Sequence, residues 1–245
     1  MIKIKKLLKL ITGNLSLRIR EVKVNNMIRS LVLLCIVSYG FWVRVYRVVP
    51  YKLYKDSYKF LFTAKAVAKS VSVSEIFPGY ADFAEASLLE RYKWGYGVLV
   101  GAIAWFLDLC GADLTRGWFE GVAHGVTVLS GVLTIFLIYY FIKISLKNKW
   151  IGLFAAFMFA ISGAQAVWSG FIITEPLAAL FIIMFLISKM VWKRWTWSII
   201  FAWLMYYTRP ELFIVPLMFV SVDIVELFIK WLGYWWAGRD VGGGM

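Results

Sequence analysis

From Ile28 to Lys230 the chain is a succession of apolar runs, at 28–49, 118–142, 150–168, 176–192, 195–207 and 211–230. A helix rises about 1.5 Å per residue and a bilayer core is about 30 Å thick, so runs near twenty residues match a membrane crossing. Hydrocarbon offers no hydrogen bonds to the backbone, so such runs must satisfy their own amides and fold as helices. The expected fold is an all-α membrane protein: a polytopic helical bundle of about six transmembrane helices, with juxtamembrane helices in the first outer loop. Composition agrees, with 62% hydrophobic residues and a mean hydropathy of +0.75, above the range of soluble domains.

Net charge is +13. In a soluble chain that balance would suggest nucleic acid. Here basic residues cluster between apolar runs, which points to anionic headgroups and topology, and no nucleic-acid partner is expected. The two cysteines, Cys35 and Cys110, lie in apolar segments and offer neither a disulfide framework nor metal spacing. His124 sits in a Gly-rich apolar stretch and reads as a packed helix residue. The first run follows a long basic stretch without a small-residue cleavage site, so it reads as a retained anchor.

Residues 1–27 carry Lys3, Lys5, Lys6, Lys9, Arg18, Arg20 and Lys23 against a single acid, Glu21. The positive-inside rule keeps this segment cytosolic, and its Ile/Leu spacing suits a surface-lying amphipathic helix. A transmembrane domain follows over 28–230, with an outer loop at 50–117 and an interfacial or cytosolic tail at 231–245. Within the loop, Lys55, Lys59, Lys65 and Lys69 share one helical arc and Phe60, Leu61, Ala64 and Val67 lie opposite, as in a helix on the membrane surface. Pro78-Gly79 signals a turn further on.

Trp94 to Cys110 is apolar but short, carries three glycines and is broken by Asp108. Its path decides the orientation of everything after it. Lys143, Lys147 and Lys149 belong in the cytosol, as do Lys189, Lys193 and Arg194. Both groups land there only if Trp94 to Cys110 does not cross but packs on protein as a juxtamembrane or re-entrant helix. Asp56, Glu175 and Arg209 then share one outer face, with both termini cytosolic. The expected location is a multi-pass position in the plasma membrane, or in the endoplasmic reticulum of a eukaryote.

Ionisable side chains at the ends of spanning helices cost free energy and are functional candidates by default. Asp56 suits the N-cap of the surface helix, and Glu175 precedes Pro176 at a helix start; capping alone would explain either. A carboxylate held ionised by a helix N-terminus also serves as a base or metal ligand. Arg209 presents a fork suited to phosphate, and Pro210 behind it ends a helix; pairing with Glu211 is the structural alternative. Arg44 and Arg47, one turn apart, read either as snorkelling side chains or as a cationic rim facing a lipid phosphate.

The order of these features resembles the GT-C superfamily of polytopic glycosyltransferases, nearest the protein O-mannosyltransferase and aminoarabinose transferase branch. The resembling residues are Val43-Arg44-Val45-Tyr46-Arg47, Asp56-Ser57-Tyr58, Trp94-Gly95-Tyr96, Thr174-Glu175-Pro176 and Thr208-Arg209-Pro210-Glu211. The resemblance implies transfer of a sugar from a polyprenyl-phosphate-linked donor to an acceptor hydroxyl on a protein, lipid or glycan at the outer or luminal face. It implies Asp56 as catalytic base, Glu175 as the second acid, and Arg209 with Arg44, Arg47 and Glu211 at the donor phosphate. Asp56 and Glu175 together with that phosphate could hold a divalent metal. The chain departs from the family pattern in having fewer spans and a lone acid in its first loop. That leaves a second reading, a non-catalytic membrane subunit with a membrane partner or a truncated remnant of the same fold. A transporter would show an inverted repeat, and none is legible.

The topology makes a direct prediction. Cysteines introduced at Asp56 and Glu175 should react with an impermeant maleimide from one side of the membrane, and those at Lys147 and Lys193 from the other.

Overall fold

A computed structural model describes residues 2–46, 55–69, 94–112, 115–169 and 171–240. The turn expected at Pro78-Gly79, Arg47 and the end of the tail lie outside the described residues. Nine α-helices follow one another among the described residues: α1 Ile2–Tyr46, α2 Lys55–Lys69, α3 Trp94–Leu109, α4 Arg116–Ser145, α5 Lys149–Ile161, α6 Gly163–Ser169, α7 Glu175–Leu186, α8 Trp195–Thr208 and α9 Ile214–Asp240. A π turn, Ile187–Val191, extends α7, and a 3-10 turn, Pro210–Phe213, precedes α9. No strand occurs among these residues. The chain is all-α, with helices suited to a membrane.

The expected count of six spans is not met. Among the described residues three helices are long and apolar enough to cross a bilayer: Val24–Tyr46, Gly117–Ser145 and Pro210–Leu232. The other runs fold into shorter pieces for local reasons. The run at 150–168 breaks at Ser162 into helices of 13 and 7 residues. The run at 176–192 becomes a helix of 12 residues that loosens into a five-residue π turn. Helix α8 has 14 residues, about 21 Å of rise, and stops before Arg209-Pro210. Helix α3, at 16 residues, is also shorter than a bilayer core requires.

Contacts along the helices fix their directions. The Lys149 ammonium reaches Asn26 and the Arg29 guanidinium covers the Trp150 ring, while about three to four turns on Gly40 faces Ala160. Helices α1 and α5 therefore run parallel. Helix α4 runs against them, because Gly152 lies on Tyr139 across the Asn148 turn. Asn148 caps α5 by accepting from the Trp150 and Ile151 amides at 2.9 and 3.3 Å. Lys147 and Lys193 close two inter-helix turns in the left-handed region, with φ of 52° and 53°.

The first of these turns and the π turn both lie toward the C-terminal end of α4, and the π turn touches α4 itself. Lys143, Lys147 and Lys149 therefore share one end of the bundle with Lys189, Lys193 and Arg194. The starts of α3, α4 and α7 and the end of α8 lie at the other.

Three apolar clusters hold the bundle. One joins Phe60, Ala64 and Ala68 of α2 to Tyr96, Val100 and Ala104 of α3, and both to α4 and α7 through Ala123 and Leu177. A second sets Ile36 of α1 against Ile135 of α4 and Ala156 and Ala160 of α5. The third packs Phe185 against Phe201 and Met205. The apolar face of α2 is thus covered by α3. The pairing is close because Gly97 lies against Phe60 and Thr63, and Gly101 against Ala64 and Val67. Small residues one turn apart let two helix backbones approach.

That register makes α2 and α3 parallel, and Gly95 sets the start of α3 against the Tyr207 backbone at the end of α8. Helix α9 is nearly unpacked: 6% of its apolar window is buried, so its Ile, Leu, Phe and Val side chains suit a hydrocarbon surround.

A Cβ at Gly101 would come within 2.6 Å of the Ala64 carbonyl oxygen. Gly101→Val should cost about 1–3 kcal/mol and lower the thermal midpoint in detergent by several degrees, since a backbone atom cannot step aside as a side chain can.

Candidate functional site

The polar end of the bundle forms where one helix ends and another begins. Helix α8 stops at Thr208 because Pro210 cannot continue it, and Arg209 takes an extended backbone with φ −151°. Helix α7 opens with Glu175 followed by Pro176, which lacks an amide hydrogen and so loses nothing in the first turn. The two termini meet through Arg209. Its Nη1 donates to Glu175 Oε1 at 2.9 Å and its Nε to Glu211 Oε1 at 2.8 Å. Arg209 and Glu175 are 27% and 33% exposed, so water screens the pair only in part. The second oxygen of Glu175, Oε2, is buried without a hydrogen-bond partner.

The structural alternative for Arg209 is thus realised with an addition: it pairs with Glu211 and also with Glu175. Thr174, not Glu175, occupies the N-cap of α7; it is buried and its side chain makes no capping hydrogen bond. Thr208 is buried too and donates back to the Leu204 carbonyl at 2.7 Å. The guanidinium is therefore gripped by two rigid helix ends.

Asp56 lies in the first turn of α2, one residue inside the start rather than at the cap; its side chain is outside the described residues. Its backbone can still be located. The α2–α3 register is parallel and the start of α3 touches Tyr207, so the first turn of α2 points to the end that carries Arg209.

Arg44 belongs to a different junction. It is fully buried where α1 meets α4 and α5, donates to the Gly40 carbonyl at 2.9 Å, and covers the Phe159 ring at 5.7 Å. Its Nε and Nη2 are buried without partners. Snorkelling does not describe it, since snorkelling puts the charge in water. Arg47 lies outside the described residues.

Among the described residues no three His, Cys, Asp or Glu side chains come together; the expected pair of Asp56 and Glu175 with a donor phosphate includes a side chain outside the described residues. Glu175, the described member of the expected pair, has one oxygen committed to a guanidinium.

The sequence reading passed over one polar feature. Tyr96 is fully buried, donates to the Ala123 carbonyl at 2.7 Å and lies 2.7 Å from Thr127 Oγ1. Burial raises its hydroxyl above the ordinary tyrosine range, with the Thr127 contact opposing, so it remains a neutral donor. Thr127, Ser130 and Thr134 form a buried polar stripe on α4. Their three- and four-residue spacing inside an apolar run was the available signal.

Two predictions follow from these pairings. A double-mutant cycle of Glu175→Gln and Arg209→Gln should give a coupling of about 1 kcal/mol, the scale of a partly screened ion pair. Arg44→Met should raise the thermal midpoint, because removing a buried charge with unpaired donors relieves a desolvation cost of about 1–3 kcal/mol; a lower midpoint would mean the guanidinium has a partner in the membrane.

Set against family models, curated proteins and solved structures, the chain matches none.

Proposed function

We propose that this chain is a membrane glycosyltransferase of GT-C-like plan, moving a sugar from a polyprenyl-phosphate donor to an acceptor hydroxyl. The observation that carries the reading is the shared location of three groups far apart in sequence. The start of α2 with Asp56, the start of α7 with Glu175 and the end of α8 with Arg209 all lie at one end of the bundle. The basic turns lie at the other end, as they would if the polar end faced outward.

In this reading the Asp56 carboxylate accepts the proton of the acceptor hydroxyl while that oxygen attacks the anomeric carbon. The bond from the anomeric carbon to the phosphate oxygen breaks, and polyprenyl phosphate leaves with the electron pair. One displacement inverts the anomeric centre. Arg209 steadies the leaving phosphate. To do so it must give up one of its glutamates, and the exposed Glu211 is the easier to release. Glu175, with its free oxygen, receives and orients the acceptor.

A non-catalytic membrane subunit is the second reading, and the paired state of Arg209 favours it. A guanidinium held by two carboxylates clamps helix ends whether or not a substrate arrives.

The test is transfer from a panel of polyprenyl-phosphate hexoses by the purified chain and by Asp56→Asn. Removing a general base should lower the rate by about a hundredfold or more, with the thermal midpoint unchanged. Undiminished transfer by the variant removes Asp56 as the base. Absence of transfer by the unaltered chain across the panel, with a stable co-purifying membrane partner, favours the subunit reading.

A further inference from the structure

The opposite end of the bundle carries a feature that sugar transfer does not use. Between α1 and α5 runs an apolar groove of about 570 Å³, lined by residues that include Ile28, Val32, Cys35, Trp150, Phe154 and Phe157. Its walls are almost wholly hydrocarbon, and its lining on α1 extends from Ile28 to Ile36, about 12 Å along the axis. Both walls face outward: Trp150 is 54% and Phe154 64% exposed.

At one mouth of this groove two cations converge on a neutral atom. The Lys149 Nζ lies 3.1 Å and the Arg29 Nη1 3.5 Å from the same oxygen, Asn26 Oδ1. The Arg29 guanidinium also covers the ring of Trp150, itself a wall of the groove, at 5.3 Å. Its Nε is buried without a hydrogen-bond partner. No acid among the described side chains pairs with either cation. One amide oxygen cannot neutralise two positive charges, so the mouth has charge and donor capacity left for an anion.

We propose that this groove is a binding site for an anionic phospholipid, with an acyl chain along α1 and α5 and the phosphate on Arg29 and Lys149. Charge and shape agree on that occupant. The walls offer almost nothing polar to a headgroup, the mouth supplies the cations a phosphate needs, and the exposed walls leave the groove open along its side. It lies at the end that gathers Lys143, Lys147, Lys189, Lys193 and Arg194, where anionic headgroups would concentrate around a basic rim. A zwitterionic lipid would bring its own cation to a mouth that already holds two.

Native mass spectrometry of the full chain in detergent tests this, with phosphatidylglycerol, phosphatidylcholine or inorganic phosphate added. The expected result is retention of phosphatidylglycerol over phosphatidylcholine, with no adduct from inorganic phosphate alone. Arg29→Ala combined with Lys149→Ala should weaken that retention roughly thirtyfold, about fivefold per basic residue. Cys35→Trp, which fills the groove and leaves the cations, should also remove it. Arg29→Lys, which keeps the charge, should retain the lipid and shows that loss in the alanine variant is not misfolding. Equal retention of the two lipids, unchanged retention in the alanine variant, or an adduct with phosphate alone would each overturn the proposal.

Discussion

Arg209 ties the end of α8 to the start of α7 at the polar end of a contact that Phe185, Phe201 and Met205 continue along both helices. A guanidinium cannot lose its proton in a protein, so an arginine at the edge of an apolar bundle must find carboxylates or water. It finds both: Glu175 at the head of α7, Glu211 in the next turn, and partial exposure for all three. The pair fixes where α8 ends relative to where α7 begins. The start of α3 leans on that same end of α8 through Gly95, and α2 follows α3 in parallel. The Tyr96 hydrogen bonds to α4 and the cluster around Phe60 and Ala123 hold the same pair of helices in place beside the clamp. A matching tie closes the opposite end, where Lys189 pairs with Asp223 of α9 and covers the Trp195 ring.

Arg44 stands outside this economy of paired charge. It is buried, with one hydrogen bond and one aromatic face for company. Burying a cation with unpaired donors is unfavourable, so its presence asks for a reason that stability alone does not supply. Its place on α1, two residues from the helix end at Tyr46, sets it nearer the polar end than the basic one.

The sequence revealed the helices better than their lengths. Apolar runs locate α4 and α9 well, and Arg209-Pro210 marks the end of α8 because proline restricts the residue before it. The count of six failed because hydrophobicity reports burial or lipid, not continuity. Ser162 breaks one run and a π turn slackens another while both stay apolar. Helix α2 was legible as amphipathic, but its cover was not. Gly97 and Gly101, four residues apart, already signalled a close helix partner, and that partner is α2. The triangle of Arg209 with two glutamates needed coordinates: Glu211 is local, whereas Glu175 lies 34 residues away.

The central claim is that the first turn of α2 reaches the Arg209 end of the bundle. Cross-linking tests it most directly, with a short bis-maleimide applied to a chain in which Cys35 and Cys110 are serine. Asp56→Cys paired with Glu211→Cys should link within one polypeptide, and Asp56→Cys paired with Lys193→Cys should not. The reverse pattern would put α2 at the wrong end and leave Arg209 and Glu175 without the acid the account gives them.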